Sequence, residues 1–358
     1  MADIIITDDE LKDPGIDDMI NLQRSLQPQS DEPIAEIKTP LYFNPIFYYA
    51  VAGSVGALAV WAAFEPYFND ETDQIAIPFV SDYILFGPVA GVLGLAIGVM
   101  YGIANRNVRQ AAYCGAVGLG VGLGVTVLTT VVADIVFSIT SNVATSNIQV
   151  PPGGFKPDEF PIKGINFFIF MCGRGLAWAI ISMGAGLGLG IALKSKQLTL
   201  NGFVGGLIGG LLGGLFFDPI SRWIDFASGD ASMSRCVGVL AVGLFVGLFI
   251  GIFENISKEA WFQMLKGPLA GKHFVLFKQS MRIGSAPKSD IYLFKDPDVA
   301  PLHASVKRTG RRYMIEDERS EKGVFVNGKK VEKYLLQPGD TVSIGETVLR
   351  YHEKGQGA

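Results

Sequence analysis

The stretch NGFVGGLIGGLLGGLFFD, residues 201–218, decides the fold of the longest part of this 358-residue chain. It has no charged side chain before Asp218, and glycine occupies every fourth position from Gly202 through Gly206 and Gly210 to Gly214. A run of this kind is typical of a helix that crosses a bilayer, which needs about 20 mostly apolar residues. Four residues make just over one helical turn, so the series predicts a smooth groove into which a neighbouring helix packs closely.

Five further apolar runs of similar length surround this one. The six lie at about 43–64, 83–104, 112–138, 165–193, 201–224 and 236–256. They predict an α-helical transmembrane bundle of about six helices over residues 41–265. The last run carries a second groove-forming series, Gly243, Gly247 and Gly251, and the fifth run has glycines on two adjacent faces, which predicts a central position for it. Tight packing is the simpler interpretation, and a pore or a sliding, gated bundle is the alternative.

The composition agrees with a membrane protein. The chain is 49% hydrophobic and 18% charged and contains 44 glycines, whereas soluble domains average about 25% charged residues and about 7% glycine. Its three cysteines lie in or beside apolar runs and indicate neither a disulfide framework nor a metal site. We also find no hydrolase, zinc-protease or phosphate-loop motif, so we expect no enzyme, no metal and no cofactor.

Basic residues indicate which side of the membrane the helix ends face. The loop 65–80 has no lysine or arginine. The turns after the second, fourth and sixth runs are basic, with Arg106, Arg109, Lys194, Lys196, Lys258 and Lys266. Because short basic loops stay in the cytoplasm, both termini are predicted to be cytoplasmic, and residues 1–40 are predicted to form an acidic, flexible cytoplasmic tail.

Few charges enter the apolar runs. Arg174 lies about nine residues into the fourth run, roughly 13 Å along a helix. Asp134 and Asp218 lie near the outer ends of the third and fifth runs, at a similar depth. One hypothesis is that Arg174 pairs with one of these aspartates inside the bundle; the other is that all three side chains reach the interface separately.

The last zone, residues 267–358, has a different character. It holds 16 of the 30 Lys and Arg and 11 of the 34 Asp and Glu, a net charge of +5, which leaves −9 for the rest of the chain. Short alternating apolar segments recur, separated by turn signals such as Asn327-Gly328. This pattern predicts an all-β sandwich.

The order of short motifs in this zone resembles a forkhead-associated (FHA) domain over about 85–90 residues. The motifs are Arg282-Ile283-Gly284-Ser285, Asp290-Ile291, His303-Ala304, Gly323-Val324-Phe325-Val326-Asn327-Gly328 and Gly339-Asp340. The segment 258–272 also resembles the lead-in of glycine-rich bacterial membrane proteins that end in this domain. The resemblance implies a β-sandwich whose loops bind phosphothreonine peptides.

At the loops that bind phosphate in this family, the chain departs from the pattern. Ser285 occupies the position of the family's arginine, and Ala300 occupies the position of the serine before the histidine. Lys322-Gly323-Val324 replaces the family's Asn-Gly-Thr. The candidate loop surface consists of Arg282, Gly284, Ser285, Lys288, His303, Lys322 and Asn327. Because a charge-assisted bond to phosphate contributes about 1.5–3 kcal/mol, the altered positions predict weak or absent phosphothreonine recognition.

These features favour a non-enzymatic scaffold or signalling protein of a bacterial inner membrane, which presents the FHA-like module to a cytoplasmic protein partner. The alternative is a transporter or channel that the module regulates. The expected partners are membrane lipid and a cytoplasmic protein, with a second copy of the chain as a further candidate, and no nucleic acid is expected.

Overall fold

The computed structural model describes residues 38–67, 78–148, 162–228, 231–310 and 312–355. Six α-helices occupy the first part of the described chain: α1 (Pro45–Phe64), α2 (Pro78–Ala104), α3 (Val108–Thr145), α4 (Gly164–Ala192), α5 (Lys196–Ser228) and α6 (Ala231–Ser257). Short 3-10 turns lie on either side of α1, at Leu41–Phe43 and Glu65–Tyr67. Most of the tail predicted over residues 1–40 lies outside the described residues.

Five of the helices, α1 and α3 to α6, are long and apolar enough to cross a membrane. In α2 the described apolar part, Pro88–Ala104, is shorter than the length needed for a span. At about 1.5 Å per residue α3 is about 57 Å long, so it extends well beyond a hydrocarbon core of about 30 Å. Large apolar side chains such as Leu128 and Ile135 are exposed along α3, as expected for a helix that faces lipid.

The glycine series mark where helices touch. A Cβ added to Gly202 would overlap the carbonyl oxygen of Gly186 in α4, and one on Gly206 would lie 2.6 Å from the carbonyl oxygen of Ser182. The remaining members of the two predicted series behave alike: Gly210 and Gly214 meet α4, and Gly243, Gly247 and Gly251 meet α1. Each series thus packs backbone against backbone.

The helix α5 is not central, contrary to the prediction from its two glycine faces. One face packs on α4 and the other, with Gly205 and Gly209, packs on α6, while Phe216 is exposed. The helices follow one another around a ring that closes where α6 meets α1, and α4 also contacts α2. The most buried span is α4, because it has neighbours on three sides.

The α2–α3 and α4–α5 hairpins repeat the same contacts 88 residues apart. Gly98 packs against Cys114 in the first hairpin, and Gly186 packs against Gly202 at the equivalent position of the second. One turn further along, Gly102 packs against Ala111 and Gly190 against Thr199. The two turns also match: Arg106 and Lys194 both have positive φ, of 52° and 53°, and in each turn the N–H of the next residue reaches the carbonyl of the glycine. This backbone pattern closes a helix end in a single tight turn.

The last part of the chain forms a two-sheet β-sandwich. Its strands are β1 (Ala260–Lys266), β2 (His273–Val275), β3 (Ser280–Gly284), β4 (Ile291–Tyr292), β5 (Ala304–Thr309), β6 (Arg312–Asp317), β7 (Val324–Val326), β8 (Lys329–Val331), β9 (Lys333–Leu335), β10 (Thr341–Ile344) and β11 (Thr347–Glu353). One sheet has the order β2-β1-β11-β10-β7-β8 and the other β4-β3-β5-β6-β9. Only the β3–β4 pair is parallel among the described pairings. Side chains such as Phe262, Ile283 and Ile344 alternate inward to form the core between the sheets.

The sandwich begins before the boundary that the sequence suggested. We expected the helical domain to end at 265 and the sandwich to start at 267, but β1 pairs with β11 from Ala260 to Lys266. β1 supplies Phe262 and Met264 to the sandwich core, but it precedes the first motif of the FHA-like pattern, so the sequence did not mark it as part of the sandwich. Only Lys258 and Glu259 therefore separate α6 from the sandwich.

Candidate functional site

The sandwich is docked on the ends of the helices. Two contacts lie near the two-residue link. The Lys354 Nζ donates to the carbonyl of Ile256 at 2.5 Å, and Arg308 pairs with Glu259 at 2.7 Å. These contacts hold the last strand and the β5 strand against the end of α6. A link this short leaves little freedom for the module to reorient.

The segment before α1 binds the same domain. Phe43 belongs to the sandwich core, and the Thr39 hydroxyl lies 3.0 Å from Nε2 of His273. Burial, aided by Lys258 and His352, lowers the pKa of His273 to about 4, so this ring is neutral at pH 7. The two ends of the helical region are thus on the sandwich side.

A buried lysine joins the sandwich to the end of α2. Lys272 is 5% exposed; its Nζ donates to the carbonyl oxygen of Ala104 and, at 2.6 Å, to Oδ1 of Asn105. Burial is the main cause that lowers the pKa of Lys272 to about 7, while Glu254 opposes the change and Arg106 adds to it. The lysine satisfies carbonyl groups that the helix end leaves without partners.

The two matching helix turns hold the other side of the sandwich. Asn107 caps α3 by accepting from the Gln110 N–H at 3.1 Å and donates to the carbonyl of Pro287 at 2.7 Å. In the second turn the Ser195 hydroxyl donates to the carbonyl of Phe277 at 3.3 Å. The β3–β4 loop, which contains Pro287, therefore lies directly against the α2–α3 turn.

Sequence reasoning missed a buried polar cluster beside Lys272. The Tyr49 hydroxyl donates to Glu254 Oε2 at 2.9 Å, and Tyr48, Tyr101 and Lys272 line the same cavity of about 30 Å³. The cavity has room for about one water. The sequence carried no signal for this cluster. In the sequence Lys272 is one of many lysines of the last zone, and the tyrosines lie in apolar runs.

The candidate loop surface is built at the end of β3. A Cβ on Gly284 would overlap the carbonyl oxygen of Pro301, so only glycine lets the two loops approach. Ser285 follows it, and its hydroxyl donates to the carbonyl of Val299 at 2.7 Å. Lys288 and Arg282 are exposed, and Arg282 Nη2 donates to the carbonyl of Lys288 at 3.4 Å.

His303 braces these loops from inside. It is fully buried; its Nδ1 accepts from the Ala300 N–H at 3.1 Å, so Nε2 carries the proton and donates to the carbonyl of Gly323 at 3.1 Å. Asn327, in the tight turn after β7, donates to Asp340 Oδ1 at 2.7 Å. Lys322 is exposed and lies 3.5 Å from Asp298.

The structure places Gly284, Ser285, His303 and Lys322 around the loops at the end of β3, whereas Asn327 lies at the other end of β7, beside Asp340. Ser285, His303 and Asn327 hold the loops together, whereas Arg282, Lys288 and Lys322 are the cations that face outward. An anion at this edge would meet these cations rather than the Ser285 hydroxyl. The sequence resemblance indicated the edge, but not that the helix turns form part of it.

Inside the bundle, Arg174 lies next to Asp218. The Arg174 Nε is 2.9 Å from Asp218 Oδ1, and its guanidinium carbon lies 5.1 to 5.2 Å from the ring centres of three phenylalanines, Phe137, Phe170 and Phe217. Asp134 lines the same small cavity as Arg174, of about 50 Å³. The three charges singled out in the sequence thus occupy one neighbourhood.

Comparison with known proteins places the sandwich in context. Residues 263–355 match the family described as "Inner membrane component of T3SS, cytoplasmic domain". The chain is 36% identical over 81 residues to the oxoglutarate dehydrogenase inhibitor of Corynebacterium jeikeium. This alignment covers 23% of this chain and 56% of that protein. It is 34% identical over 90 residues to the glycogen accumulation regulator GarA of Mycolicibacterium smegmatis, an alignment that covers 25% of this chain and 56% of that protein. The chain thus spans just over half the length of these curated relatives.

Among solved structures, the FHA domain of the CT664 protein from Chlamydia trachomatis is 26% identical, with a TM-score of 0.26, and covers 27% of this chain and 99% of that chain. The family match, residues 263–355, falls on the sandwich. The loop motifs, the two-sheet topology and the family match agree with one another. The C-terminal region of this protein is therefore an FHA-like domain, attached to a region of apolar helices.

Proposed function

We propose that this chain is a non-enzymatic scaffold of a bacterial inner membrane. Six helices span the bilayer, both termini are cytoplasmic, and the FHA-like domain is presented to a cytoplasmic protein partner. The family matched by residues 263–355 is described as an inner-membrane component, which supports this placement. The basic turns support the same orientation, because Arg106 and Lys194 lie on the side where the sandwich docks.

The docking contacts carry the scaffold proposal. Lys272, Asn107 and Ser195 tie the sandwich to the helix turns, and the link to α6 has only two residues. A module held in this way offers its outer sheet and loops to a partner in a fixed orientation. Fixing an interaction surface in advance reduces the entropic cost of binding.

We further propose that phosphothreonine recognition is weak or lost. The Ser285 hydroxyl is engaged by Val299, Lys322 lies beside Asp298, and the Asn107–Pro287 contact covers part of the loop edge. A micromolar phosphopeptide complex requires about 8 kcal/mol, and lysine lacks the two-pronged geometry of arginine. Titration of the full chain with a phosphothreonine peptide library tests this: phosphate-dependent micromolar binding would refute it.

Crosslinking in native membranes tests the scaffold function. The full-length protein, a form that ends at Glu259, and a full-length Arg282→Gln/Lys322→Gln variant are crosslinked and purified in parallel. We expect the full chain to capture a cytoplasmic protein that the truncated form does not capture. Identical protein sets from the full-length and truncated forms would contradict the proposal.

A transporter or channel is the second candidate, and the Arg174–Asp218 pair within the bundle is the observation that favours it. The cavity beside the pair is only about 50 Å³, which holds little more than a water. The glycine contacts also bring helix backbones together rather than lining a path. Solute or ion flux through reconstituted vesicles that depends on Asp218 would favour transport over the scaffold.

A further inference from the structure

A basic cleft lies where the FHA-like domain meets the helices. Its walls are the first turns of α3, the end of α4 and the β3–β4 loop, and its volume is about 350 Å³. Five cations line it: Arg109, Lys194, Lys278, Arg282 and Lys288. Asp290 also lines it and pairs with Lys278 at 2.5 Å.

Most of this positive charge has no acidic partner among the residues that the structure describes. Within the described ranges of the chain, none of Arg109, Lys194, Arg282 and Lys288 forms a salt bridge. Arg109, Lys194 and Lys288 are exposed, and Arg109 lies in the first turn of α3, where the helix dipole adds partial positive charge. The cleft is thus complementary to an anion larger than a single carboxylate.

A second groove adjoins the cleft on the side of the helical bundle. It lies between α4 and α5, has a volume of about 400 Å³ and shares Lys194 with the cleft. Its walls are mostly apolar, with Leu187, Phe203 and the exposed side chains of Ile191 and Leu200, while Lys194, Ser195, Lys196 and Thr199 line the end near the turn. The exposed ring of Tyr113 stands at the cleft itself, a position typical of aromatic residues at the membrane interface.

We infer that this cleft binds the headgroup of an anionic phospholipid from the adjacent leaflet, with an acyl chain along the α4–α5 groove. An anionic headgroup joined to apolar chains matches a basic cleft that adjoins a mostly apolar groove. A phosphorylated peptide would match the cleft but not the groove. The bound lipid would bridge helices and sandwich and strengthen their docking, since the cations come from both.

Lipid titration of the detergent-purified full-length protein tests the site. Native mass spectrometry counts the retained dioleoyl phosphatidylglycerol, with dioleoyl phosphatidylcholine as the uncharged comparison. The cleft variant is Arg109→Gln/Lys194→Gln/Lys288→Gln, and the control, Lys266→Gln/Lys329→Gln/Lys330→Gln, removes the same charge from exposed positions elsewhere on the sandwich. We expect wild type and control to prefer phosphatidylglycerol and the cleft variant to bind it about tenfold or more weakly.

Two competition arms distinguish the sources of phosphate. Free sn-glycerol 3-phosphate and a phosphothreonine peptide are added over the same range of concentrations, and neither is expected to displace the lipid. Equal lipid retention by the cleft variant and the control overturns the inference, as does displacement by either competitor. If the cleft variant does not fold, Lys194→Gln/Lys288→Gln, at two exposed positions, replaces it. The inference rests on the proposed membrane placement, which alkaline carbonate extraction tests separately.

Discussion

At the residue scale, a buried lysine is one of the contacts that attach the module to the helices. Lys272 places an ammonium group at the end of α2, where the carbonyl of Ala104 and the amide oxygen of Asn105 accept from it. Burial lowers the pKa of Lys272 to about 7. The neutral amine still has protons to donate, so loss of the charge removes the desolvation cost and keeps the contacts.

This pKa predicts a pH dependence. An unfolded lysine has a pKa near 10.4, so between pH 7 and about 10 the unfolded chain binds more protons at this site than the folded one. Stability therefore rises with pH in that window, by at most about 1.4 kcal/mol per pH unit. We expect the melting temperature of the full chain to rise from pH 7 to 9.5, and the Lys272→Met variant to lose much of this rise.

Lys278→Met is the matched control, because Lys278 also lies where the sandwich meets the helices but is less buried than Lys272 and pairs with Asp290. Its pH profile should follow that of the wild type. A residual slope in the Lys272 variant is expected from Lys258, whose pKa burial also lowers. Indistinguishable slopes for Lys272→Met and the wild type would show that Lys272 is not the titrating group.

The Arg174–Asp218 contact predicts a large effect on folding. Arg174→Ala removes the ion pair and leaves a largely buried carboxylate, with a side chain 10% exposed, which typically costs about 3–5 kcal/mol. Lys163→Ala, at an exposed position just before α4, is the control. We expect the folded yield, measured by size-exclusion chromatography, to fall only for Arg174→Ala and to recover in part when Asp218→Asn is added. Equal yields for the two single variants would rule out a stabilising pair.

At the scale of the elements, glycine spacing sets how closely helices approach. Gly186 in α4 and Gly202 in α5 face each other, and a Cβ on either would overlap the carbonyl of the other. In lipid the hydrophobic effect does not drive helices together, so van der Waals contact between closely packed backbones provides much of the attraction. The same contacts in the α2–α3 hairpin show that one packing arrangement is used twice.

We therefore predict that Gly186→Ala destabilises the protein by about 1–3 kcal/mol, because two backbones must move apart. Gly120→Ala on α3 is the control, since a Cβ there meets nothing within 4 Å; it should be neutral or slightly stabilising, as alanine favours the helix by up to about 1 kcal/mol. Thermal unfolding in one detergent compares the two variants. The same loss of stability from both variants, or no loss from Gly186→Ala, would contradict a packing role for Gly186.

The elements differ in how well the sequence predicts them. Long apolar runs and the Asn327-Gly328 turn have strong local signals, so the helices and the sandwich were predictable. The first strand was not, because its residues do not alternate between apolar and polar, and only pairing with β11 defines them as a strand. The docking site was also hidden: Lys272, Asn107 and Ser195 are ordinary surface types, brought together only by tertiary structure.

At the scale of the whole molecule, two differently built parts meet, a region of apolar helices and a β-sandwich. The helices bury backbone against backbone in an apolar region, and the sandwich buries an alternating core of its own. Between them, polar contacts from Lys272, Asn107 and Ser195 fix the orientation. The central claim is that this docked arrangement exists in the membrane, with the module in the cytoplasm.

Crosslinking in intact cells tests that claim most directly. Asn107→Cys and Pro287→Cys are combined in a chain whose native cysteines, Cys114, Cys172 and Cys236, are replaced by alanine, and a short thiol crosslinker is added in permeant and impermeant forms. We predict that the permeant reagent joins the α2–α3 turn to the sandwich rapidly and that the impermeant one does so only after the cells are opened. An Asn107→Cys/Lys329→Cys pair, with its second cysteine in β8, should not crosslink. Absence of the crosslink with the permeant reagent, or reaction with the impermeant one in intact cells, would contradict the account.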